Sequence, residues 1–391
     1  MTPYLVAPSP HWSKGSSTGR IMSDVLLAML PALAWAGLCF GYRAFLVVAV
    51  CVAAASAAEA ACQRIMGRAI TLHDGSAVLT GALLAAVLPA NIPLWFAALG
   101  AAFAIAIGKQ AFGGLGSNIW NPALLARAAM GVSMPAHMYS SQWPSLAGGS
   151  PGFGLGHLAK DISGSFGALS QRGVHPDIVT SPTALAKIHA LPSLDAPDAS
   201  RCVLEDSASW AEHLSPSWER IRDAWLGLEG GSLGEVSAVC LLAGGLYLLF
   251  RRVITWETPA AFLGMAALGV FVLPAPIETV CHLHGGGEAA HAAYQWVGTA
   301  RLALLHLGSG GLMLGAFFMA TDYVTTPLTR RGKFIFGAGC GFLTILIRFY
   351  GGYPEGICFA ILLMNTATPL IDSLTRPRLY GKRPQPRAPA P

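Results

Sequence analysis

Charge is what this sequence lacks most. Lys, Arg, Asp and Glu together make up 12% of its 391 residues, whereas soluble domains carry about 25%. So few charges cannot solvate a globular surface, which argues against an ordinary soluble domain and for a chain that crosses a membrane many times. Cysteine is present but never as a Cys-x-x-Cys pair, and Cys39, Cys51, Cys62, Cys240, Cys340 and Cys358 fall inside apolar runs. They read as buried small hydrophobes. An iron–sulfur cluster supplied wholly by this chain is not expected, because such clusters need grouped thiolates. P-loop, dinucleotide fingerprint and Ser/His/Asp set are all missing, so the chain is not expected to bind NAD itself. The net charge of +5 calls for no nucleic-acid partner, and its distribution points to the membrane.

Long apolar runs are what the sequence has in excess. They fall near 21–41, 44–62, 76–89, 94–108, 118–133, 235–250, 258–275, 298–320, 334–350 and 355–374. The fold class this predicts is an all-α polytopic membrane protein of about ten transmembrane helices. Five precede and five follow a polar segment at 134–232, in which an amphipathic helix is expected around Trp210 to Trp225. The run from Ile21 follows 20 polar, basic residues and is followed by further spans, so it reads as a first transmembrane helix and not as a cleaved signal. The division is thus 1–20, a first membrane block 21–133, the polar segment 134–232, a second membrane block 233–375, and a basic, proline-rich tail 376–391 expected to be disordered. With the N-terminus inside, inner loops and tails hold Lys14, Arg20, Arg64, Arg68, Lys109, Arg251, Arg252, Arg330, Arg331, Lys333 and the tail cations. The outer loops and span ends hold only Arg43, Arg301 and Arg348. That bias places both termini in the cytoplasm and the polar segment outside, in the periplasm of a Gram-negative cell.

The two blocks look alike. Gly81-Ala82-Leu83-Leu84 leads to Pro93-Leu94, and Gly315-Ala316-Phe317-Phe318 leads to Pro327-Leu328 by the same step; Phe112-Gly113-Gly114-Leu115 then matches Tyr350-Gly351-Gly352-Tyr353. An odd number of spans per copy forces the second copy to be inverted. Inverted repeats place a site at their interface, often on short or broken helices, and the run from Ser76 to Pro89 is short enough to be one.

Five sets of residues could carry chemistry. In the polar segment, Asp177, Thr180 and Thr183 are spaced Asp-x-x-Thr-x-x-Thr in a stretch with small Ser181 and turn-forming Pro182. Asn118 and Asn121 flank Trp120 at the entry of the fifth span, where amides beside an aromatic can bind and stack a ring or simply cap the helix. Arg127, further along that span, is an intramembrane cation and therefore a functional candidate, with Glu59 as one partner. Asp322 with Thr321, Thr325 and Thr326 ends the eighth span and offers oxygen ligands for a hard cation or a proton; Glu278 is a weaker version of the same idea. His282, His284, Glu288 and His291 share an outer loop but lack standard zinc spacing, and no metal is expected there.

Ser9-Pro10-His11, Ile21-Met22-Ser23-Asp24-Val25-Leu26-Leu27-Ala28 with Leu30-Pro31-Ala32, Asp74 to Gly81, Gly113 to Ala123, and Ala320-Thr321-Asp322 with Thr325-Thr326-Pro327 resemble the family of Rnf-complex D subunits. They also resemble its relative, the B-type subunits of sodium-pumping NADH:quinone reductases. The resemblance covers nearly the whole chain and implies FMN joined to Thr183 as a phosphoester, with Asp177 and Thr180 completing the motif. The family motif usually ends Gly-Ala-Thr; here it ends Ser181-Pro182-Thr183, and Pro182 removes one backbone donor. The resemblance further implies a second, non-covalent flavin, riboflavin, near Asn118, Trp120, Asn121 and Arg127, whose guanidinium would meet a flavin phosphate or ribityl chain if it does not pair with Glu59. Implied too are a urea-transporter-like fold and a role as electron carrier in an ion-translocating ferredoxin:NAD oxidoreductase of the bacterial inner membrane. Its partners would be the periplasmic flavoprotein of the complex (its G subunit), the A and E membrane subunits, the B and C peripheral subunits, membrane lipid, and a flavin transferase for maturation. A solute channel of the same fold, or the quinone-reductase component itself, are the alternatives.

Overall fold

The computed structural model describes residues 17–138, 216–227, 231–273, 296–351 and 356–376. These residues are helical and connected by turns, with one isolated antiparallel bridge, Pro89 to Ser232, among them. Asp177, Thr180, Thr183, Glu278, the histidines 282–291 and the tail beyond 376 lie outside the described residues, as does most of the polar segment.

Helix α1 runs Thr18–Phe40, opened by Ser17, whose hydroxyl accepts from the Arg20 amide at 3.3 Å, and closed at Gly41, φ 74°. Helix α2 is Tyr42–Ile65. Both are long and apolar enough to cross a membrane, as are α12 (Arg330–Tyr350) and α13 (Ile357–Thr375). Their apolar side chains point outward as well as inward: Leu27, Leu30, Leu38, Phe45, Leu363 and Leu370 are each more than half exposed. A water-soluble helix keeps one polar face, so these helices are built for an apolar surround, and the chain is a multi-pass membrane protein.

The intervening helices are short. Helix α3 is Ser76–Ala86 and α4 is Leu94–Ile105, which runs on into a π-turn at Ala106–Gln110. Then come α5 (Pro122–Ser133), α6 (Pro135–Met138), α7 (Trp218–Leu226), α8 (Ala238–Phe250) and α9 (Glu257–Val272). The expected span at 298–320 is interrupted. Helix α10 (Trp296–Gly308) stops at Ser309-Gly310-Gly311, and α11 (Leu312–Leu314) continues into a π-turn (Gly315–Met319), the two parts meeting at a bend of 69°. Two glycines without side-chain restraint make that break cheap. At 11 residues, α3 is about 16 Å long, roughly half a hydrocarbon core of about 30 Å.

A broken helix inside a membrane frees carbonyls that must be satisfied within the protein. At the end of α3 the chain before α8 does this: Gly234 N–H donates to Ala86 O at 2.6 Å and Leu233 N–H to Leu88 O at 3.0 Å. The buried Arg127 guanidinium takes Val87 O. At the break after α10, Arg348 Nη1 donates to His306 O at 2.8 Å and Nη2 to Ser309 O at 3.0 Å. Arg127 and Arg348 therefore each sit on the carbonyl end of a short helix, where the helix dipole favours positive charge.

Close crossings use small residues. A Cβ on Gly337 would lie 2.5 Å from Thr258 O, and Gly341, one turn on, abuts Phe262 O, which clamps α12 to α9. Helix α1 meets α8, and α5 meets α13, where Cys358 Sγ lies 3.0 Å from Leu124 O. Of the amphipathic helix expected around 210–225, the described part is α7, held to α10 by Trp225 Nε1 donating to Leu304 O at 3.0 Å and by Arg301 stacked 5.2 Å over Trp218.

Candidate functional site

A cavity of about 90 Å³ lies where α1, α3, the end of α4, the start of α5, the end of α8 and the turn after Met319 converge. Leu79, Leu83, Pro122, Leu248, Phe317 and Phe318 give it apolar walls; Ser76, Lys109, Asn118, Asn121, Thr321 and Asp322 are its polar groups. That volume holds several waters and falls well short of the ~300 Å³ at the low end of cofactor-sized pockets.

Local sequence explains how each group arrives. Asn121 precedes Pro122 at the first helical position of α5 and caps the helix, its Oδ1 accepting from the Ala123 amide at 3.1 Å. Its Nδ2 donates to Met319 O at 3.4 Å, tying the start of α5 to the end of the bent span. Asn118 Nδ2 donates to Trp120 O at 3.1 Å, and the Asn118 side chain also bonds the Asp322 carboxyl. The Asp322 carboxyl further accepts from Val324 N–H at 3.5 Å and from Thr325 Oγ1 at 3.4 Å. Thr321 lines the cavity while its hydroxyl donates back to Phe317 O at 2.7 Å.

Not every expected group joins them. The Trp120 indole N–H donates to Thr366 Oγ1 at 2.9 Å, and its ring meets Phe112 edge-on at 5.9 Å, so its bonds run to α13 and not to the cavity. Arg127 does not line the cavity either, and Glu59 is not its partner: its guanidinium is committed to the end of α3.

Glu59 pairs instead with Lys109, Oε1 to Nζ at 2.6 Å, and both side chains are almost completely buried, at 1% and 3% exposed. The same Oε1 accepts from Gln110 Nε2 at 3.0 Å and Gln63 Nε2 at 3.3 Å. Lys109 Nζ also donates to Ser76 Oγ at 2.6 Å, and Ser76 Oγ donates to Asp74 Oδ1 at 2.6 Å. Lys109 and Arg348 are therefore not the loop or span-end cations that counting along the sequence makes them; both are interior, at 2% and 1% exposed. Lys109 turns inward because the π-turn at Ala106–Gln110 adds a residue to its helical turn and presents Gly108, Lys109 and Gln110 together to the interior. The signal that would have found the pair was present: Glu59 lies inside an apolar span, and intramembrane charges are expensive unless used or paired.

Other cations expected in loops make local pairs. Arg251 pairs with Asp24 at 3.1 Å, Arg330 with Glu257 at 3.5 Å, Lys333 Nζ reaches Thr255 Oγ1 at 3.1 Å, and Arg68 reaches Gly113 O at 2.8 Å.

A sequence profile of the NQR2, RnfD, RnfE family matches residues 5–381. The chain is 39% identical over 378 residues to the D subunit of the Na(+)-translocating ferredoxin:NAD(+) oxidoreductase complex of Acetobacterium woodii, covering 96% of this chain and 95% of the relative. It is 41% identical over 374 residues to the D subunit of the ion-translocating oxidoreductase complex of Stutzerimonas stutzeri, with 94% and 93% covered. To the D subunit of the proton-translocating ferredoxin:NAD(+) oxidoreductase complex of Clostridium ljungdahlii it is 35% identical over 380 residues, with 97% of each chain covered.

Proposed function

The chain belongs to the NQR2, RnfD, RnfE family, and from that premise we propose that it is a membrane-embedded electron-carrier subunit of an ion-translocating ferredoxin:NAD oxidoreductase. The observation that carries this reading is similarity along almost the entire length to D subunits of such complexes. One of those relatives is named for Na⁺ and another for protons, so similarity does not choose the ion. The architecture we infer is ten spans in two inverted five-helix repeats. In support, α2 packs on α4 as α9 packs on α12, while α1–α8 and α5–α13 bring equivalent helices of the two halves together. Both halves also contain a shortened or broken helix, and the inner-loop cations favour both termini in the cytoplasm of a bacterial inner membrane.

FMN on Thr183, in the motif shared with Asp177 and Thr180, is the proposed redox centre, loaded by a flavin transferase on the periplasmic face. Bound there it supplies one- and two-electron chemistry; the protein's part is to fix its position and tune its potential. The proposed electron partners are the periplasmic flavoprotein (the G subunit) and the A and E membrane subunits, with the B and C peripheral subunits completing the complex. A second flavin, riboflavin, would lie by Asn118 and Asn121 beside Leu79, Leu83 and Phe317. There it would have to compete with Trp120 O and Met319 O for the amide donors, and the cavity would have to widen to take a three-ring system. At its present size it suits water and a small cation better.

Asp322 is therefore the proposed ion-path carboxylate, with Thr321 beside it. In the assembled complex in vesicles, Asp322→Asn is expected to abolish ion movement and to slow the electron flux coupled to it. Transport and flux equal to wild type would remove Asp322 from the path.

A further inference from the structure

Lys109 is a charge that neither packing nor the proposed electron route requires. A methylene chain would fill its space, whereas burying an ammonium and a carboxylate costs several kcal/mol per ion before their attraction is counted. Its surroundings are specific. Glu59 of α2 holds one N–H and Ser76 of α3 a second, and Lys109 itself lines the cavity, as does Asp322. The charged groups facing it are Glu59, Asp74 through Ser76, and Asp322 in the same cavity wall; Arg68 bonds Gly113 O in the loop that follows the π-turn.

The hydroxyl between Lys109 and Asp74 is oriented to pass a proton. Ser76 Oγ accepts from Lys109 at 2.6 Å and donates to Asp74 at 2.6 Å, so its acceptor side faces the interior and its donor side faces a half-buried carboxylate in the turn beside exposed His73. The turn at Leu72–Asp74 carries that carboxylate, and Asp74 Oδ1 is fixed a second time by the Ser76 amide at 2.9 Å. Both links are short and continuous from donor to acceptor, as stepwise proton transfer requires.

We propose that Lys109, Ser76 and Asp74 form a proton relay between the cavity and the membrane face, with Glu59 holding the charge on Lys109. In one passage a Lys109 N–H bond breaks as Ser76 Oγ takes the proton, and the proton already on Ser76 moves to the Asp74 carboxylate. Ser76 ends unchanged. Neutral Lys109 regains a proton from hydronium in the cavity, which leaves water, and Asp74 gives its proton to water at the surface as hydronium. The reverse sequence brings a proton in. This relay rests on the reading of the cavity as part of the ion path and adds its connection to solvent.

Ser76→Ala tests it, because alanine removes the bridging hydroxyl and leaves the Glu59–Lys109 pair in place. The assembled complex in proteoliposomes is followed for electron flux across pH and for movement of protons into the lumen. The expected result is flux and proton movement at about a tenth of wild type or less, with a shifted pH profile, and restoration by Ser76→Thr. Unchanged flux, pH profile and proton movement in Ser76→Ala would overturn the relay; so would sodium-only transport indifferent to the substitution, or a loss that threonine does not restore. Asp322→Asn separates the two ideas. Transport blocked by it but untouched by Ser76→Ala removes the relay and keeps the cavity as ion path, and the opposite pattern removes Asp322 and keeps the relay.

Discussion

Lys109→Met is expected to destabilise the folded protein in detergent by about 3–5 kcal/mol, because it leaves Glu59 as an uncompensated buried charge. Glu59 is 1% exposed, and three of its hydrogen-bond donors converge on one oxygen, the shortest from Lys109 at 2.6 Å. Methionine fills the same volume and supplies none of that charge. Removing both charges together, as Glu59→Gln with Lys109→Met, leaves amide donors facing an amide, and most of the loss should be recovered. Thermal unfolding of the two single variants and the double variant closes the cycle. A Lys109→Met protein within about 0.5 kcal/mol of wild type would mean that the pair does not exist as described.

Arg348→Leu should be comparably severe for a different reason. Its two nitrogens satisfy His306 O and Ser309 O at the break after α10, where the helical ladder is interrupted. Each buried carbonyl left without a donor costs about 1–3 kcal/mol, so a loss of about 2–6 kcal/mol is expected, with Arg348→Lys intermediate because an ammonium cannot present the same two-pronged fork. Arg127→Leu should cost less, since the carbonyl it holds is that of Val87, and neighbouring Ala86 and Leu88 are served by backbone amides. Equal losses for Arg127→Leu and Arg348→Leu, measured by unfolding in detergent, would contradict this account of how the broken helices are held.

That the chain is helical and crosses a membrane repeatedly was legible because apolar run length is a local signal. The run from Ser76 to Pro89 read as short, and α3 ends at Ala86; the fifth span was expected from 118, whereas α5 begins at Pro122. The break at Ser309-Gly310-Gly311 was missed because the residues on both sides remain apolar, so composition runs through it without interruption. Asn118, Asn121, Thr321 and Asp322, singled out along the chain, line one cavity. Trp120 and Arg127 were placed by neighbourhood along the chain, but helical rotation decides which way a side chain faces, and theirs bond elsewhere. Lys109 and Glu59 are 50 residues apart in sequence. Nothing local says that the π-turn at Ala106–Gln110 turns the lysine inward, so it read as a loop cation.

The central claim, that this subunit carries electrons, is tested most directly at Thr183. The measurement is in-gel flavin fluorescence of the denatured chain, co-expressed with an active flavin transferase, as wild type and as Thr183→Ala. Denaturation releases every non-covalent flavin, so the signal reports the phosphoester alone. The account predicts a fluorescent wild-type band and a dark Thr183→Ala band. A dark wild-type band, with the transferase active on another substrate, would contradict the redox role and turn attention to the chain as a solute channel.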